Sequence, residues 1–173
     1  MYTMIQSIFS GEKVYSRSQD AFALYEKSRF GEKKQDRIEY PLIESLFLLK
    51  ERKMEILSNK KILSEESLFK KIKKADKKAE IKLIVFSDLR KKGYIVKTAL
   101  KFGAEFRVYE KGVQPGQDHA RWILYTTKAS DSLDWHEFSA KNRIAHSTKK
   151  NLLIALVDEE DSITYYEISW VKP

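Results

Sequence analysis

Three side chains in the second half of the chain, Tyr109, His119 and Lys150, are able to share one acid–base reaction. A phenol or an imidazole can take up or deliver a proton, and an ammonium group can stabilise negative charge that grows on oxygen. Without a metal ion, this combination suits cleavage of RNA by its own 2′-hydroxyl group. One group removes the 2′ proton, a second protonates the departing 5′ oxygen, and the cation stabilises the charge on the phosphorus oxygens.

Two of these side chains are predicted to lie at opposite ends of one loop. Residues 104–109 alternate apolar and polar side chains, which is typical of a half-buried strand that ends at Tyr109. Residues 110–118 contain two glycines and a proline, which indicates a loop. His119 comes directly before a second strand-like run, so the loop is expected to deliver it.

Composition limits the classes of protein to which the chain can belong. With 173 residues, 42% hydrophobic and 34% charged, it is expected to be globular, with one ordinary domain or two small ones. No stretch approaches the roughly 18 apolar residues of a membrane span, so we expect a cytoplasmic protein with no membrane partner. The absence of cysteines excludes disulfides and thiolate ligands, and the three histidines are scattered. No metal and no cofactor is expected.

The net charge of +8 and the pI near 9.4 suit a polyanionic partner such as RNA. Residues 1–80 hold 18 Lys and Arg against 13 Asp and Glu, which leaves +5 there and +3 in the remainder. The excess charge therefore does not point to the half that contains Tyr109, His119 and Lys150.

The first eighty residues are predicted to alternate short strands with capped helices. Ser10 and Gly11 suit the turn of a hairpin within 4–15, and 54–57 is predicted to be a strand. The charged segment 31–40 indicates a loop or an edge strand. The predicted start and stop signals are Ser18 and Gly31 for the first helix, Pro41 for the second and Ser64 for the third.

The third predicted helix carries a run of lysines on one side. On a continuous helix these side chains fall within an arc of about 160°, opposite apolar positions. The ordinary meaning is the solvated face of an amphipathic helix, and the alternative is a stripe that contacts phosphates. The six residues are Lys70, Lys71, Lys73, Lys74, Lys77 and Lys78.

A helix over 81–92 is predicted to end at Gly93 in a left-handed conformation. We expect residues 1–82 to form an N-terminal α/β domain and residues 83–173 a C-terminal domain. After Gly93 the predicted order is strand, strand, loop, strand, helix, strand, strand, with the helix over 133–149. This order indicates an α/β or α+β fold.

Four segments make the chain similar to a known family. They are GYIVK at 93–97, KFGAEFRVY at 101–109, RIAHSTKK at 143–150 and TYYEISWVKP at 164–173. On these segments the chain resembles the archaeal tRNA-splicing endonucleases. The resemblance implies a C-terminal catalytic domain of restriction-endonuclease-like fold, with a central mixed sheet.

The same resemblance implies a function. It implies a tRNA-intron lyase, a metal-independent endoribonuclease that cuts precursor tRNA at a bulge-helix-bulge motif. The products would carry 2′,3′-cyclic phosphate and 5′-hydroxyl ends. Partners would be precursor tRNA and related subunits, in a homotetramer or in a heterotetramer.

The resemblance also implies roles, with Tyr109 as the base, His119 as the acid and Lys150 as the stabilising cation. An ordinary phenol with a pKa near 10 is ionised to only about one part in a thousand at pH 7. Tyr109 is therefore expected to need a nearby cation, such as Lys150, to lower its pKa.

Arg143 and Trp170 are implied by the resemblance to hold a flipped-out bulge base between them, through stacking and cation–π contacts. The alternative for Trp170 is a packing role in the core or at an interface, because it alternates with apolar residues on the terminal strand. That strand, 163–171, is apolar on both faces and is expected to be covered on both in an oligomer. The acidic loop 131–137 either docks on a basic surface of a neighbouring subunit or is a plain surface loop.

Two other functions stay open at the level of sequence. A metal-dependent DNA nuclease would use a Glu-x-Lys pattern, which occurs at 80–82 and at 51–53 without a persuasive acidic partner. A catalytically silent structural or RNA-binding subunit of the same family is the second alternative. The presence of all three candidate catalytic residues argues against a silent subunit.

Overall fold

A computed structural model describes residues 4–171. The packing of the chain divides it between Leu83 and Ile84 into two compact units. The helix Ala79–Lys91 continues through this division, so no separate linker segment lies between the units. Within the described residues no helix is both long enough and apolar enough to cross a membrane.

The N-terminal unit is a six-stranded sheet with helices. The sheet has the order β3-β4-β2-β1-β5-β6, in which β1 and β5 are parallel and the other neighbours are antiparallel. Its elements are β1 (Ile5–Phe9), β2 (Lys13–Ser16), α1 (Gln19–Ser28), β3 (Glu32–Lys33), β4 (Ile38–Pro41), α2 (Leu42–Lys50), β5 (Met54–Ser58), β6 (Lys61–Ile62) and α3 (Glu65–Ala75).

Local signals in the first eighty residues predicted most of this unit. The predicted hairpin is β1–β2, and the side chains of Ser18 and Ser64 accept N–H groups of the first turns of α1 and α3. The predicted stop of α1 at Gly31 is wrong, because the helix ends at Ser28 and Arg29 takes the left-handed conformation. Gly31 has a different role, since a Cβ there would lie 2.3 Å from the Ile38 side chain.

The lysine run does not form the single helical stripe that the sequence predicts. Helix α3 ends at Ala75, and Asp76 adopts an extended conformation and accepts the backbone N–H of Lys78 at 2.9 Å. Lys77 and Lys78 therefore lie in the turn before the next helix. Lys70 and Lys73 have acidic partners within 3.3 Å, which reduces the free charge of this surface.

The C-terminal unit is built on a five-stranded mixed sheet of order β11-β10-β9-β8-β7. Strands β9 and β10 are parallel and the other neighbours are antiparallel. This arrangement confirms the predicted fold class and order of elements. The elements are α4 (Ala79–Lys91), β7 (Ile95–Thr98), the 3₁₀ turn Leu100–Phe102, β8 (Phe106–Tyr109), β9 (Trp122–Lys128), α5 (Trp135–Ser147), β10 (Asn151–Val157) and β11 (Ile163–Ile168).

Helices cover both faces of this sheet. On one face Ile123 and Leu152 pack with Ala145 of α5 in a buried apolar cluster. On the other face the ring of Phe106 lies 5.7 Å from that of Phe86 in α4. The alternation predicted for β8 therefore directs Phe106 to α4 and its neighbour Arg107 to the face of α5.

Two predicted boundaries near the candidate site are wrong. Helix α5 is shorter than 133–149, because Asp134 caps it by accepting the N–H of Glu137 at 2.7 Å. The predicted acidic loop 131–137 therefore ends at Asp134, and the remaining residues form the first turn of α5. Strand β11 ends at Ile168, so Trp170 lies beyond the strand in which the sequence placed it. Of the predicted C-terminal segment, residues 172–173 lie outside the described residues.

Candidate active site

Tyr109 is the last residue of β8, and its side chain is buried, with an exposed fraction of 4%. Burial raises the pKa of its phenol, and the positive charge of Arg107 opposes that rise. The sequence had suggested Lys150 as the cation that would lower this pKa. The structure instead gives this effect to Arg107, which does not overcome the effect of burial.

Lys150 follows α5 and is half-buried. Its backbone N–H donates to the carbonyl of Ala145 at 2.9 Å, and its Nζ donates to the carbonyl of Thr148 at 2.7 Å. The ammonium group lies 5.7 Å from the centre of the Phe102 ring. Burial, and then the charge of Arg107, lower the pKa of Lys150. Since an ammonium group has three N–H donors, two remain for a substrate oxygen.

His119 lies in the loop between β8 and β9, and its side chain is exposed. Its backbone N–H donates to Oδ1 of Asp118 at 2.6 Å. At the base of the loop an ion pair joins Arg121 to Glu110. The backbone N–H of Arg121 also donates to the carbonyl of Val108 at 3.0 Å. The loop ends are thus fixed to the sheet, while the imidazole faces solvent.

The three candidate catalytic residues are not joined by direct contacts. Tyr109 and Lys150 both lie close enough to Arg107 for its charge to shift their pKa values. Across residues 4–171, no hydrogen bond or ring contact links the His119 imidazole to either of the other two. The arrangement offers a buried phenol, a half-buried ammonium group and an exposed imidazole.

Arg143 and Trp170 are both exposed, and the structure records no contact between them within 4–171. Trp170 has an exposed fraction of 59%, and its ring centre lies 4.1 Å from that of His146. His146 is three residues after Arg143 on α5, so both lie on one side of the helix. Trp170 therefore lies beside the helix that carries Arg143, and it is not a core residue of this chain.

A polar network at the base of the His119 loop was not predicted from the sequence. Glu167 accepts hydrogen bonds from Nε1 of Trp122 and from Nδ2 of Asn151, both at 2.7 Å, and Arg121 approaches it at 3.5 Å. The bond from Trp122 is the largest of the effects that lower the pKa of Glu167. A single sequence does not reveal this network, because its members come from three strands.

The groups that a metal-dependent nuclease would need have other contacts. Among residues 4–171 no cluster of three or more His, Asp or Glu side chains is placed to hold a metal ion. In the Glu-x-Lys pattern at 80–82, Glu80 pairs with Lys73 at 3.3 Å and Lys82 pairs with Asp76 at 2.6 Å.

Two family models match successive parts of the chain. Residues 5–69 match the N-terminal domain of tRNA intron endonucleases, and residues 79–165 match their catalytic C-terminal domain. Proteins of this class combine an N-terminal domain with a nuclease domain. The chain belongs to the tRNA intron endonuclease family, which confirms the resemblance seen in the sequence.

Curated relatives match over most of their length. The chain is 37% identical to a tRNA-splicing endonuclease of Pyrococcus abyssi over 99% of both proteins. It is 43% identical to a tRNA-splicing endonuclease of Nanoarchaeum equitans, over 78% of this chain and 90% of that protein. A tRNA-splicing endonuclease of Methanothermobacter thermautotrophicus is 36% identical, over 87% of each chain.

Proposed function

We propose that this protein excises introns from precursor tRNA by cutting bulge-helix-bulge RNA without a metal ion. Membership of the tRNA intron endonuclease family supports action on tRNA. The observation that carries the chemistry is that Tyr109 and Lys150 both lie close to the half-buried side chain of Arg107, near the end of the strand from which the His119 loop begins. The products are a 2′,3′-cyclic phosphate and a 5′-hydroxyl.

In this mechanism each side chain has one task. Tyr109 accepts the proton of the 2′-hydroxyl as the 2′ oxygen attacks phosphorus. The bond from phosphorus to the 5′ oxygen breaks, and His119 supplies the proton that this oxygen needs. Lys150 places its two unused N–H donors towards the non-bridging oxygens, where negative charge grows.

The raised pKa of Tyr109 affects how the proton is removed. At pH 7 the ionisation of a phenol of ordinary pKa costs about 4 kcal/mol of free energy, and burial increases that cost for Tyr109. A free phenolate is therefore a rare state of the resting protein. The reactive species is this minor phenolate, which takes up the 2′ proton as the 2′ oxygen attacks phosphorus and so becomes the neutral phenol. The free energy needed to ionise the ring therefore adds to the barrier of the reaction.

Substrate binding is assigned to Arg143 and Trp170. Both are exposed on the side of α5 that bears His146, where an unpaired base can reach them. Stacking between an indole ring and a guanidinium plane accepts any base, which suits a bulge of variable sequence. A packing role for Trp170 remains the alternative, since its ring contacts His146.

The active form is proposed to be a tetramer, either of this chain or with a related subunit. Tyr166 and Trp170 have exposed fractions of 52% and 59%, so the apolar C-terminal segment is open to a partner. Each chain supplies one candidate site, whereas removal of an intron takes two cuts. The N-terminal domain is proposed to comprise residues 1–82 and the catalytic domain residues 83–173.

The purified protein incubated with bulge-helix-bulge precursor tRNA in excess EDTA tests the function. We expect two cuts, a 2′,3′-cyclic phosphate on each upstream fragment, and no cleavage when the nucleotide at the cut is 2′-deoxy. Cleavage of the deoxy substrate, or a strict need for magnesium, contradicts the mechanism. His136→Ala changes an exposed histidine on α5, away from the loop that carries His119, and is a matched control for His119→Ala.

A further inference from the structure

Arg107 lies beside two members of the candidate site and has no role in the mechanism above. It precedes Tyr109 by two residues on β8, so both side chains leave the same face of the sheet. Its Nε is buried and has no hydrogen-bond partner among residues 4–171. Buried donors in folded proteins nearly always have an acceptor, so this unused N–H needs an explanation.

Charged groups reach this face from three directions. On β7, Lys97 is directly opposite Arg107 in the strand register and is buried, with an exposed fraction of 6%. On β8 itself, Tyr109 lies two residues after Arg107. Glu105 lies just before the strand, and its carboxylate accepts the backbone N–H of Thr126 at 3.2 Å. Lys150 approaches from the end of α5. The position opposite Arg107 on β9 is apolar.

The guanidinium group of Arg107 keeps its positive charge throughout the working range of pH. Tyr109 and Lys150 must each hold or release a proton for transesterification, and each feels the charge of Arg107. A permanent positive charge favours ionisation of the phenol and favours the neutral form of the amine. It also makes the site more attractive to a phosphate.

We propose that Arg107 is a positioning residue of the catalytic site, whose half-buried guanidinium group sets the electrostatic environment of Tyr109 and Lys150. This role rests on the proposed function for its effect on cleavage, although its effect on Lys150 is independent of RNA. Lysine cannot replace it fully, because an ammonium group lacks the planar fork of donors.

The first experiment needs no RNA. The rate at which Lys150 is acylated by an N-hydroxysuccinimide ester is measured against pH by peptide mass mapping, since only the neutral amine reacts. Removal of the Arg107 charge raises the pKa of Lys150 and leaves less neutral amine. Less neutral amine means slower acylation at every pH below that pKa, and the expected slowing is about threefold. We expect this slowing in Arg107→Met and Arg107→Gln, and none in Arg107→Lys.

Arg17→Met is the matched control. Arg17 is an exposed arginine of the N-terminal unit, paired with Asp36 at 2.9 Å. Its loss should leave the acylation of Lys150 unchanged. The mass map reports every lysine in the same sample, so a general change in reactivity is distinguished from an effect on Lys150.

The second experiment measures single-turnover cleavage of bulged precursor tRNA against pH. We expect Arg107→Met to lower kcat at least about tenfold with little change in KM, because the residue acts on catalytic groups and not on RNA. The alkaline limb of the profile, where Lys150 loses its proton, should move upward, since the pKa of Lys150 rises when the Arg107 charge is removed. In Arg107→Lys the alkaline limb of the pH–rate profile should stay at the same pH, and cleavage should be slower than in the wild-type protein.

Two results would overturn the role of Arg107. One is unchanged acylation of Lys150 together with an unchanged alkaline limb in Arg107→Met and Arg107→Gln. The other is a rate loss that follows a fall in Tm, with both pH readouts unchanged, which is the behaviour of a packing residue. If the natural chain cuts no RNA, the proposed function fails, and the acylation rates alone still decide the role of Arg107.

Discussion

Replacement of Trp170 by alanine separates base recognition from packing. The side chain has an exposed fraction of 59%, so it buries about two fifths of an area of about 250 Å². At about 25 cal/mol per Å², this burial of about 100 Å² contributes at most about 2.5 kcal/mol to the stability of the chain. A stacked base is worth about 1 to 3 kcal/mol, or about five- to 150-fold in binding.

The two roles therefore predict losses of similar size in different measurements. If Trp170 stacks on a bulge base, Trp170→Ala should slow cleavage of the normal RNA and have little effect on an RNA whose splayed nucleotide is abasic. Trp170→Tyr should be mild, because an aromatic face is kept. Arg143→Lys should cleave RNA more slowly than its retained positive charge would suggest, because the guanidinium plane is lost.

The assay combines single-turnover cleavage, Tm and light scattering on the same preparations. His146→Ala is the matched variant, because it removes the ring that Trp170 touches while it leaves the indole in place. Equal losses of rate on normal and abasic RNAs for Trp170→Ala would refute the clamp. Reproduction of the whole effect by His146→Ala, with a matching fall in Tm, would make Trp170 a packing residue.

Further outcomes concern catalysis, pH, packing and assembly. His119→Ala and Lys150→Ala should each slow single-turnover cleavage at least about a hundredfold, about 2.7 kcal/mol, at unchanged Tm, and near-normal cutting by either variant contradicts its role. Hydrogen bonds lower the pKa of Glu167, so its ionised carboxylate stabilises the folded protein. This stabilisation is fully present above the ordinary pKa of a carboxyl group, and it is lost as the pH falls through the lowered pKa of Glu167. The Tm of Glu167→Gln should therefore be lower than that of the wild-type protein at neutral pH, and the two Tm values should converge in acid. A difference in Tm that stays constant with pH would argue against this linkage. Gly31→Ala should destabilise the N-terminal unit by more than about 2 kcal/mol, because its Cβ would meet Ile38, whereas Gly11→Ala, with open space around it, should cost only about 1 kcal/mol in a denaturant titration. Light scattering of the active protein should give the mass of a tetramer, and an active monomer would rule out the proposed assembly.

Local chemistry made much of the fold predictable. Ser18 and Ser64 mark helix starts because their hydroxyl groups satisfy N–H groups of the first turn, and the alternation before Tyr109 marks a strand with two different faces. Helix ends were less predictable. The end of α3 at Ala75 depends on the turn at Asp76. The lysines before and after this turn are spaced as they would be on one continuous helix, so the sequence pattern does not show where the helix ends.

The candidate site could be predicted in its members but not in its electrostatics. Tyr109 and His119 follow from the order of a strand and a loop. The effect of burial on the pKa of Tyr109, and the role of Arg107 as its cationic neighbour, depend on α5 lying over that face of the sheet. Packing between elements distant in sequence decides such effects, and a single sequence does not report them.

The ion pair between Arg121 and Glu110 makes the loop that carries His119 a modular part of the protein. Because the base of the loop is fastened to β8 and β9, its tip is free to vary in length and composition. Gly112 and Gly116 have open space where a side chain would project, but their φ angles of +85° and +93° favour glycine, so changes suit the neighbouring positions better. A fluorescent label or a short inserted peptide at this tip would sit outside the sheet.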